Sequence, residues 1–415
     1  MVVQFTLPPM LKRIKIQNFL SLEDVELDLR ARNTFVGPNM AGKSNLIEAL
    51  RFLHDAIRRR RRPELASFQQ AVSERGGFSQ LVWQGRTDRT IRIEVLAELT
   101  EGPSETRGVY SYSISFHRGQ YVSTEIEAES LFVQRHGKRE TLLLNNSDGL
   151  KISGERNGAI QGSHDSYGLA LELNAERNTL LSAFTKFIAG WRVYRLVPAL
   201  MRNSNPPAWE KNLSEHGENL SAWLFMLQNH SSEFESFKRA AQDALSGLTG
   251  VLFQPVEPPQ APLQQGQLFV PGEGARISVG ASETYFSKPI SLARMSDGEL
   301  VFLALLSLIL APRELRPSLL CIEEPENYLH PRLLEILIEL LDQQSALRQL
   351  PQLIATTHSP LVVDKLTLDE LVVTDRIDGA TKFSRASSKK RLKELLSRTE
   401  LSLGDLWYSG ALSDS

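Results

Sequence analysis

Gly37-Pro38-Asn39-Met40-Ala41-Gly42-Lys43-Ser44 has the spacing G-x-x-x-x-G-K-[ST], which suits the phosphates of a nucleotide. Glycines let the backbone close around an anion, and the N–H groups of a helix start supply positive potential. The Lys43 ammonium then reaches the β and γ phosphates, and the Ser44 hydroxyl is a ligand for Mg²⁺. Far downstream, Glu323 and Glu324 end the apolar run Leu319 to Ile322. A strand tip is where α/β folds hold ligands. One carboxylate there can hold Mg²⁺ while its neighbour orients and deprotonates an attacking water. Standing alone, the two acids read as a solvated surface pair, so their meaning depends on what accompanies them.

Two further segments keep them company. Met295-Ser296-Asp297-Gly298-Glu299 precedes an almost uniformly apolar stretch from Leu300 to Leu310, with Ser296 and Glu299 spaced as a capping box. The segment is therefore either a capped buried helix or an anion site, in which Ser296, Gly298 and Glu299 meet the γ-phosphate of a second nucleotide. Thr356-Thr357-His358-Ser359-Pro360 closes another apolar run. His358 is either an ordinary polar residue at a strand end or an imidazole that stabilises charge near the γ-phosphate and senses hydrolysis.

The elements that must position these residues follow from periodicity. Arg13 to Ile16 alternates, Asn33 to Val36 is a short strand, and Leu46, Ala49, Leu50, Leu53 and Ile57 mark one face of a helix directly after the glycine loop. From Thr90 to about Asn145 the period is two, as in antiparallel strands. Tyr167 to Gly250 reads as helical with a break at Asn203 to Pro207, and Pro255 to Gly274 reads as a loop or linker. Leu319 to Ile322 and Leu353 to Thr356 are continuous apolar runs, as in a parallel sheet covered on both faces. Leu333, Leu334, Leu337, Leu340 and Leu341 form a helical face between them, completing a βαβ unit. Leu371 to Asp375 reads as the final strand.

Composition narrows the class. The chain has 415 residues, 47 basic and 49 acidic side chains, and a net charge of −2, which excludes a polybasic protein. A single cysteine, Cys321, excludes an intramolecular disulfide and a cysteine zinc cluster and fits a reducing compartment. The N-terminus lacks a signal-peptide pattern, and no apolar stretch approaches the roughly 20 residues that span a bilayer. A cytoplasmic protein with no membrane segment is expected.

Taken together and in this order, the glycine loop, S-D-G-E, the strand ending Glu323-Glu324-Pro325-Glu326-Asn327-Tyr328-Leu329-His330-Pro331, and T-T-H-S-P resemble the ABC-type ATPases of the RecF/SMC/OLD group. The resemblance is closest to the free-standing AAA-type ATPases of bacterial defence and DNA-maintenance systems. Its motifs cover roughly residues 10 to 80 and 285 to 375, with Ile14 to Phe19 and Leu403 to Tyr408 as less specific flanks. It implies an α/β P-loop NTPase with an ABC-type head, an antiparallel β lobe and an inserted helical subdomain. The expected divisions are an N-terminal ATPase lobe over 1–165, a helical insertion over 166–252 and a C-terminal ATPase lobe over 253–415.

By the same resemblance, Gly37 to Ser44 is Walker A, Ser296 to Glu299 the ABC signature, and Glu323 the Walker B acid with Ser44 on Mg²⁺. Glu324 is the catalytic base and His358 the switch histidine. Glu323 stands where the family usually has Asp and is one methylene longer. Gln80 in Gly76-Gly77-Phe78-Ser79-Gln80 is either a Q-loop glutamine or a surface residue. The family mechanism implies ATP and Mg²⁺ as ligands and a head-to-tail homodimer in which ATP is capped by the partner's signature. Hydrolysis then reopens the pair and drives sensing or regulation in phage defence or DNA maintenance. The alternative is a protein-interaction clamp without nucleic acid.

Many OLD-type relatives carry a nuclease after the ATPase. Here 57 residues follow His358 and contain no spaced acidic set beyond Asp375, so cleavage is expected from a separate nuclease or effector protein. Arg58, Arg59, Arg60, Arg61 and Arg62 end the helix after the glycine loop. They either neutralise nucleic-acid phosphates or form a solvated end favoured by the helix dipole.

Overall fold

The structure, a computed structural model, describes residues 8–58, 66–101, 106–120, 123–154, 158–206, 211–256, 276–284, 288–347, 350–386, 392, 394, 396 and 401–410. The chain divides into two compact units, each assembled from separated stretches. The first comprises Met1–Val193, Pro317–Cys321 and Pro351–Ser415, and the second Tyr194–Arg316 and Ile322–Leu350.

The first unit opens with strands β1 (Met10–Phe19), β2 (Leu22–Asp28) and β3 (Arg32–Val36), followed by the helix Lys43–Ile57. The period-two stretch then folds into β4 (Ile91–Glu101), β5 (Thr106–Arg118), β6 (Thr124–Arg135), β7 (Lys138–Asn146), β8 (Gly149–Ile152) and β9 (Ile160–Gly162). These join β1 and β2 in an eight-stranded sheet of order β2-β1-β4-β5-β6-β7-β8-β9, antiparallel throughout. Alternation sets its buried face. Ile91, Ile93, Val95, Ala97 and Leu99 are buried, as are Tyr110, Tyr112, Ile114 and Phe116 on the neighbouring strand. The helix Lys43–Ile57 turns Leu46, Ala49, Leu50, Leu53 and Ile57 into the same core. Its Phe52 stacks on Phe116 with ring centroids 5.4 Å apart.

A six-stranded sheet has the order β10 (Trp191–Tyr194), β14 (Leu319–Glu323), β15 (Gln352–Thr357), β3, β16 (Leu371–Ile377) and β17 (Ala380–Arg385). β3 pairs in parallel with both β15 and β16. All six residues of β15 are buried, the pattern expected of a strand covered on both faces.

Here the sequence reading needs correction, because β16 is not the final strand. Asp378 and Gly379 both have positive φ, 52° and 84°, and turn the chain into antiparallel β17. The stretch read as wholly helical also contains β10. That strand is too short for a periodicity signal, and pairing in the sheet overrides local propensity. The antiparallel strands likewise run past Asn145 to Gly162.

The second unit carries helices Leu220–Leu227, Ser231–Ala244, Asp297–Ile309 and Pro331–Ala346, with a small antiparallel sheet of β11 (Leu248–Val256), β12 (Arg276–Glu283) and β13 (Ile290–Ser291). β11 thus takes in Pro255, the first residue read as linker, while 257–275 lie outside the described residues. Every residue from Leu300 to Ile309 is buried. The one polar side chain among them, Ser307, donates to Ala304 O (2.6 Å) and accepts from the indole of buried Trp223 (2.9 Å), so its hydroxyl is satisfied inside an apolar core. Among the described residues no helix is long and apolar enough to cross a membrane.

Candidate functional site

The Gly37 to Ser44 loop joins the end of β3 to the helix Lys43–Ile57, so it caps a central parallel strand. Gly42 has φ 103°, and no side chain caps the helix start behind it. With no acidic residue in the first turn, the helix dipole and its N–H groups make this end attractive to an anion. Lys43 is only 6% exposed, and its ammonium donates to the loop's own carbonyls, Gly37 O at 2.6 Å and Pro38 O at 3.0 Å. Met40, also at positive φ (66°), is 80% exposed on the loop tip. A cavity of about 550 Å³ lies between Pro38–Ala41 and Asp375–Ile377.

The hairpin that the sequence reading missed forms the wall behind this loop. A Cβ on Gly37 would lie 2.2 Å from Thr374 O, and one on Gly42 would lie 1.9 Å from Thr381 Oγ1, so both glycines are needed for close approach. Thr381 Oγ1 donates to Ala41 O (2.8 Å), which uses its only proton. The 2.6 Å contact between Ser21 Oγ and Thr381 Oγ1 must then have Ser21 as donor, while Ser21 accepts from Asn45 Nδ2 at 2.6 Å. A one-way relay therefore runs from Asn45 through Ser21 and Thr381 to the carbonyl of Ala41. Arg376 adds a bond to Met40 O at 3.1 Å. The Asp378-Gly379 pair was the signal that could have disclosed this hairpin.

His358 follows β15, whose Thr357 is in register with Val36 of β3. The histidine and the start of the glycine loop therefore leave the ends of adjacent parallel strands. Thr357 Oγ1 accepts from Ser359 N (3.0 Å), and Ser359 precedes the short helix Pro360–Asp364.

Glu323 is the last residue of β14 and is half-buried. Glu324 adopts φ 47°, which is uncommon for a non-glycine residue and is held here by a turn. Asn327 N donates to Glu324 O (3.0 Å), and Asn327 Nδ2 donates to the Glu324 carboxylate (2.8 Å). In the same unit, Ser296 caps the helix Asp297–Ile309, and the capping box with Glu299 is formed (2.8 and 3.3 Å). Ser296 Oγ accepts in that box, so its own O–H remains available to a ligand. A Cβ on Gly298 would lie 2.7 Å from Tyr328 O, so the S-D-G-E segment and the turn after the acids are packed together through a glycine.

Arg202 was missed entirely, and nothing in its local sequence marks it. Its guanidinium donates to Ala293 O, Met295 O and the Asp297 carboxylate, fixing the approach to this helix.

Gln80 is exposed on the short helix Phe78–Leu81. The loop before it is anchored by Arg75, which donates to Glu48 Oε1 (2.5 Å) and Asp55 Oδ2 (2.9 Å) on the helix after the glycine loop. Burial alone would raise the Asp55 carboxyl, but bonds from His54 and Arg75 hold it below its ordinary value. Arg58 is exposed, whereas Arg59, Arg60, Arg61 and Arg62 lie outside the described residues.

The donor set suits a magnesium nucleotide. An uncapped helix start with a buried lysine fits phosphate, and the adjacent Ser44 hydroxyl is a hard oxygen donor. Among the described residues no three His, Cys, Asp or Glu side chains converge as a self-sufficient metal site. Magnesium would therefore be completed by phosphate oxygens and water, its usual arrangement.

Known proteins share the fold of this chain. The family described as "AAA domain, putative AbiEii toxin, Type IV TA system" matches residues 32–364. A sequence comparison with curated proteins returns no match. Among solved structures, an SMC head bound to the C-winged helix domain of ScpA superposes with a TM-score of 0.53 at 13% identity, covering 90% of this chain and 97% of its own. The SMC head domain from Thermotoga maritima gives 0.42 at 14% identity, covering 90% and 98%. The Smc head with an extended coiled coil bound to the C-terminal domain of ScpA, from Pyrococcus furiosus, gives 0.48 at 12% identity, covering 94% and 100%. The first of these carries the fold argument, that of an ABC-type P-loop NTPase head. The chain belongs to this AAA-domain family and has the fold of an ABC-type P-loop NTPase head.

Proposed function

We propose that the chain is an ATP-binding and ATP-hydrolysing switch whose nucleotide-dependent, head-to-tail dimerisation drives sensing or regulation of a nucleic-acid-associated effector, in phage defence or DNA maintenance. The observation that carries this reading is the glycine loop, an uncapped helix start holding a buried lysine against a wall that only glycines can approach. In this reading Lys43 exchanges its bonds to Gly37 O and Pro38 O for the β and γ phosphates. Ser44 and Glu323 hold Mg²⁺, which when bound neutralises charge developing on the phosphate oxygens. Glu324 takes the proton of the attacking water, and His358 answers to the γ-phosphate. Ser296, Gly298 and Glu299 cap the nucleotide of the second copy, and Gln80 completes the site.

The competing reading is a clamp that holds a partner protein without nucleic acid. A solved SMC head of this fold carries a bound partner domain, which favours testing that arm. The decisive experiment is steady-state ATP hydrolysis with oligomeric state read by light scattering, with and without duplex DNA. Glu324→Gln should retain ATP, lose turnover and accumulate as an ATP-dependent dimer, whereas Lys43→Ala should lose both binding and dimerisation. Stimulation by DNA favours nucleic-acid sensing, and stimulation only by a protein partner favours the clamp. Normal hydrolysis in both variants would refute the site assignment.

A further inference from the structure

The C-terminal segment Leu403-Gly404-Asp405-Leu406-Trp407-Tyr408 has no part in the reaction described above, yet it is bound to the strand end that carries His358. We propose that Trp407 is a positioning residue that holds the main chain of His358 and couples it to the glycine loop. The proposal rests on the reading of His358 as the residue that answers to the γ-phosphate.

The helix Leu403–Tyr408 is short, so local interactions must define it. Ser402 and Asp405 form a capping box, with Asp405 N donating to Ser402 Oγ (3.1 Å) and Ser402 N to Asp405 Oδ2 (2.9 Å). These bonds also hold the Asp405 carboxyl below its ordinary value.

Two anchors dock the capped helix onto the segment after β15. Gly404 N donates to Asp364 Oδ1 at 2.5 Å, and a Cβ on Gly404 would lie 2.6 Å from Pro360 O, so only glycine permits this approach. One turn later the indole Nε1 of Trp407 donates to His358 O at 3.2 Å. A donor on this carbonyl restrains the peptide next to the imidazole, and so limits where the imidazole can stand.

The same segment borders the glycine loop. Trp407, Tyr408, Gly410 and Pro38 line one cavity of about 340 Å³. Pro38 is also the residue whose carbonyl accepts from Lys43. Rearrangement of Lys43 toward phosphate therefore begins at a residue that shares a cavity with Trp407. The indole links that residue to His358, and Tyr408 lies 87% exposed beyond it.

Trp407→Phe keeps an aromatic ring and removes the N–H donor, and because Trp407 is only partly buried the variant should fold. Steady-state hydrolysis should show kcat about 5- to 10-fold lower with ATP affinity by calorimetry unchanged. A positioning role through His358 also demands non-additivity, so the double variant with His358→Ala should be no slower than His358→Ala alone. Additive losses, or an unchanged kcat, would overturn the proposal.

A second readout does not depend on turnover. With 5-fluorotryptophan incorporated at all five Trp positions, the ¹⁹F resonance missing from Trp407→Phe should move when a non-hydrolysable ATP analogue binds with Mg²⁺. A resonance that stays in place while calorimetry reports binding would refute the link to the loop. Failure of the wild type to bind or hydrolyse ATP would instead refute the switch reading, and this inference would fall with it.

Discussion

Thr374 and Thr381 lie on adjacent strands of the hairpin behind the glycine loop, both fully buried, and the same substitution should affect them in opposite directions. Thr→Val replaces a hydroxyl by a methyl of similar shape. At Thr381 the hydroxyl donates to Ala41 O and accepts from Ser21 Oγ, and both partners are themselves buried, Ala41 at 1% and Ser21 at 5% exposure. Thr381→Val therefore strands one acceptor and one donor. At about 1–3 kcal/mol for each buried polar group left without a partner, the cost is about 2–6 kcal/mol. Thr374 Oγ1 has no hydrogen-bond partner among the described residues. Thr374→Val removes a group whose desolvation is already uncompensated, so it should be neutral or stabilising by about 1 kcal/mol. Urea unfolding of the three proteins, with ATP affinity by calorimetry, tests the pair. Thr381→Val should lower the midpoint and weaken ATP binding, because the Ala41 peptide belongs to the loop. Equal destabilisation by both variants, or a Thr381→Val cost below about 0.5 kcal/mol, would refute the relay as the support of the loop.

Two further predictions concern other parts of the structure. Arg202→Ala releases the approach to the S-D-G-E helix, yet its carboxylate partner Asp297 is half exposed, so stability should fall by only about 1 kcal/mol. Under the proposed role of the segment on the nucleotide of a second copy, hydrolysis should drop several-fold while ATP affinity holds, and a loss of affinity in the calorimeter would contradict that role. Glu129 is fully buried, and burial pushes its carboxyl up to about 7 despite bonds from Tyr112, Leu171 N and Ala170 N. The folded protein thus keeps a proton that the unfolded chain releases near 4.5. This contribution is fully present below about pH 4.5 and is lost as pH rises through about 7, amounting to about 3 kcal/mol. Unfolding free energies of the wild type should show that loss relative to Glu129→Gln, and parallel pH curves for the two would rule it out.

Most of the candidate site was legible because its chemistry is local in sequence. The glycine loop, the capping box of Ser296 and Glu299, and the strand-ending Glu323-Glu324 each declare themselves within a few residues. Period-two burial from Ile91 to Phe116 was equally legible, since a sheet with one packed face imposes alternation. Short strands held by neighbours were not. β10 is held at the sheet edge by pairing with β14 across a long sequence separation, and edge strand β17 pairs with its neighbour β16 through the Asp378-Gly379 turn, its one local marker.

The amino-acid sequence by itself determined the types and order of the reactive groups, the helix starts that attract anions and the strands that carry acids to their tips. These depend on hydrogen bonds and periodicities that span no more than a few residues. The tertiary structure alone decided what stands behind them. It brought Thr381 within hydrogen-bonding distance of Ala41, 340 residues away, set Arg202 against Asp297, and docked Trp407 on the carbonyl of His358. Such contacts are made by side chains with no periodicity to announce them, and each exists only once the sheet and helices have closed the distance along the chain.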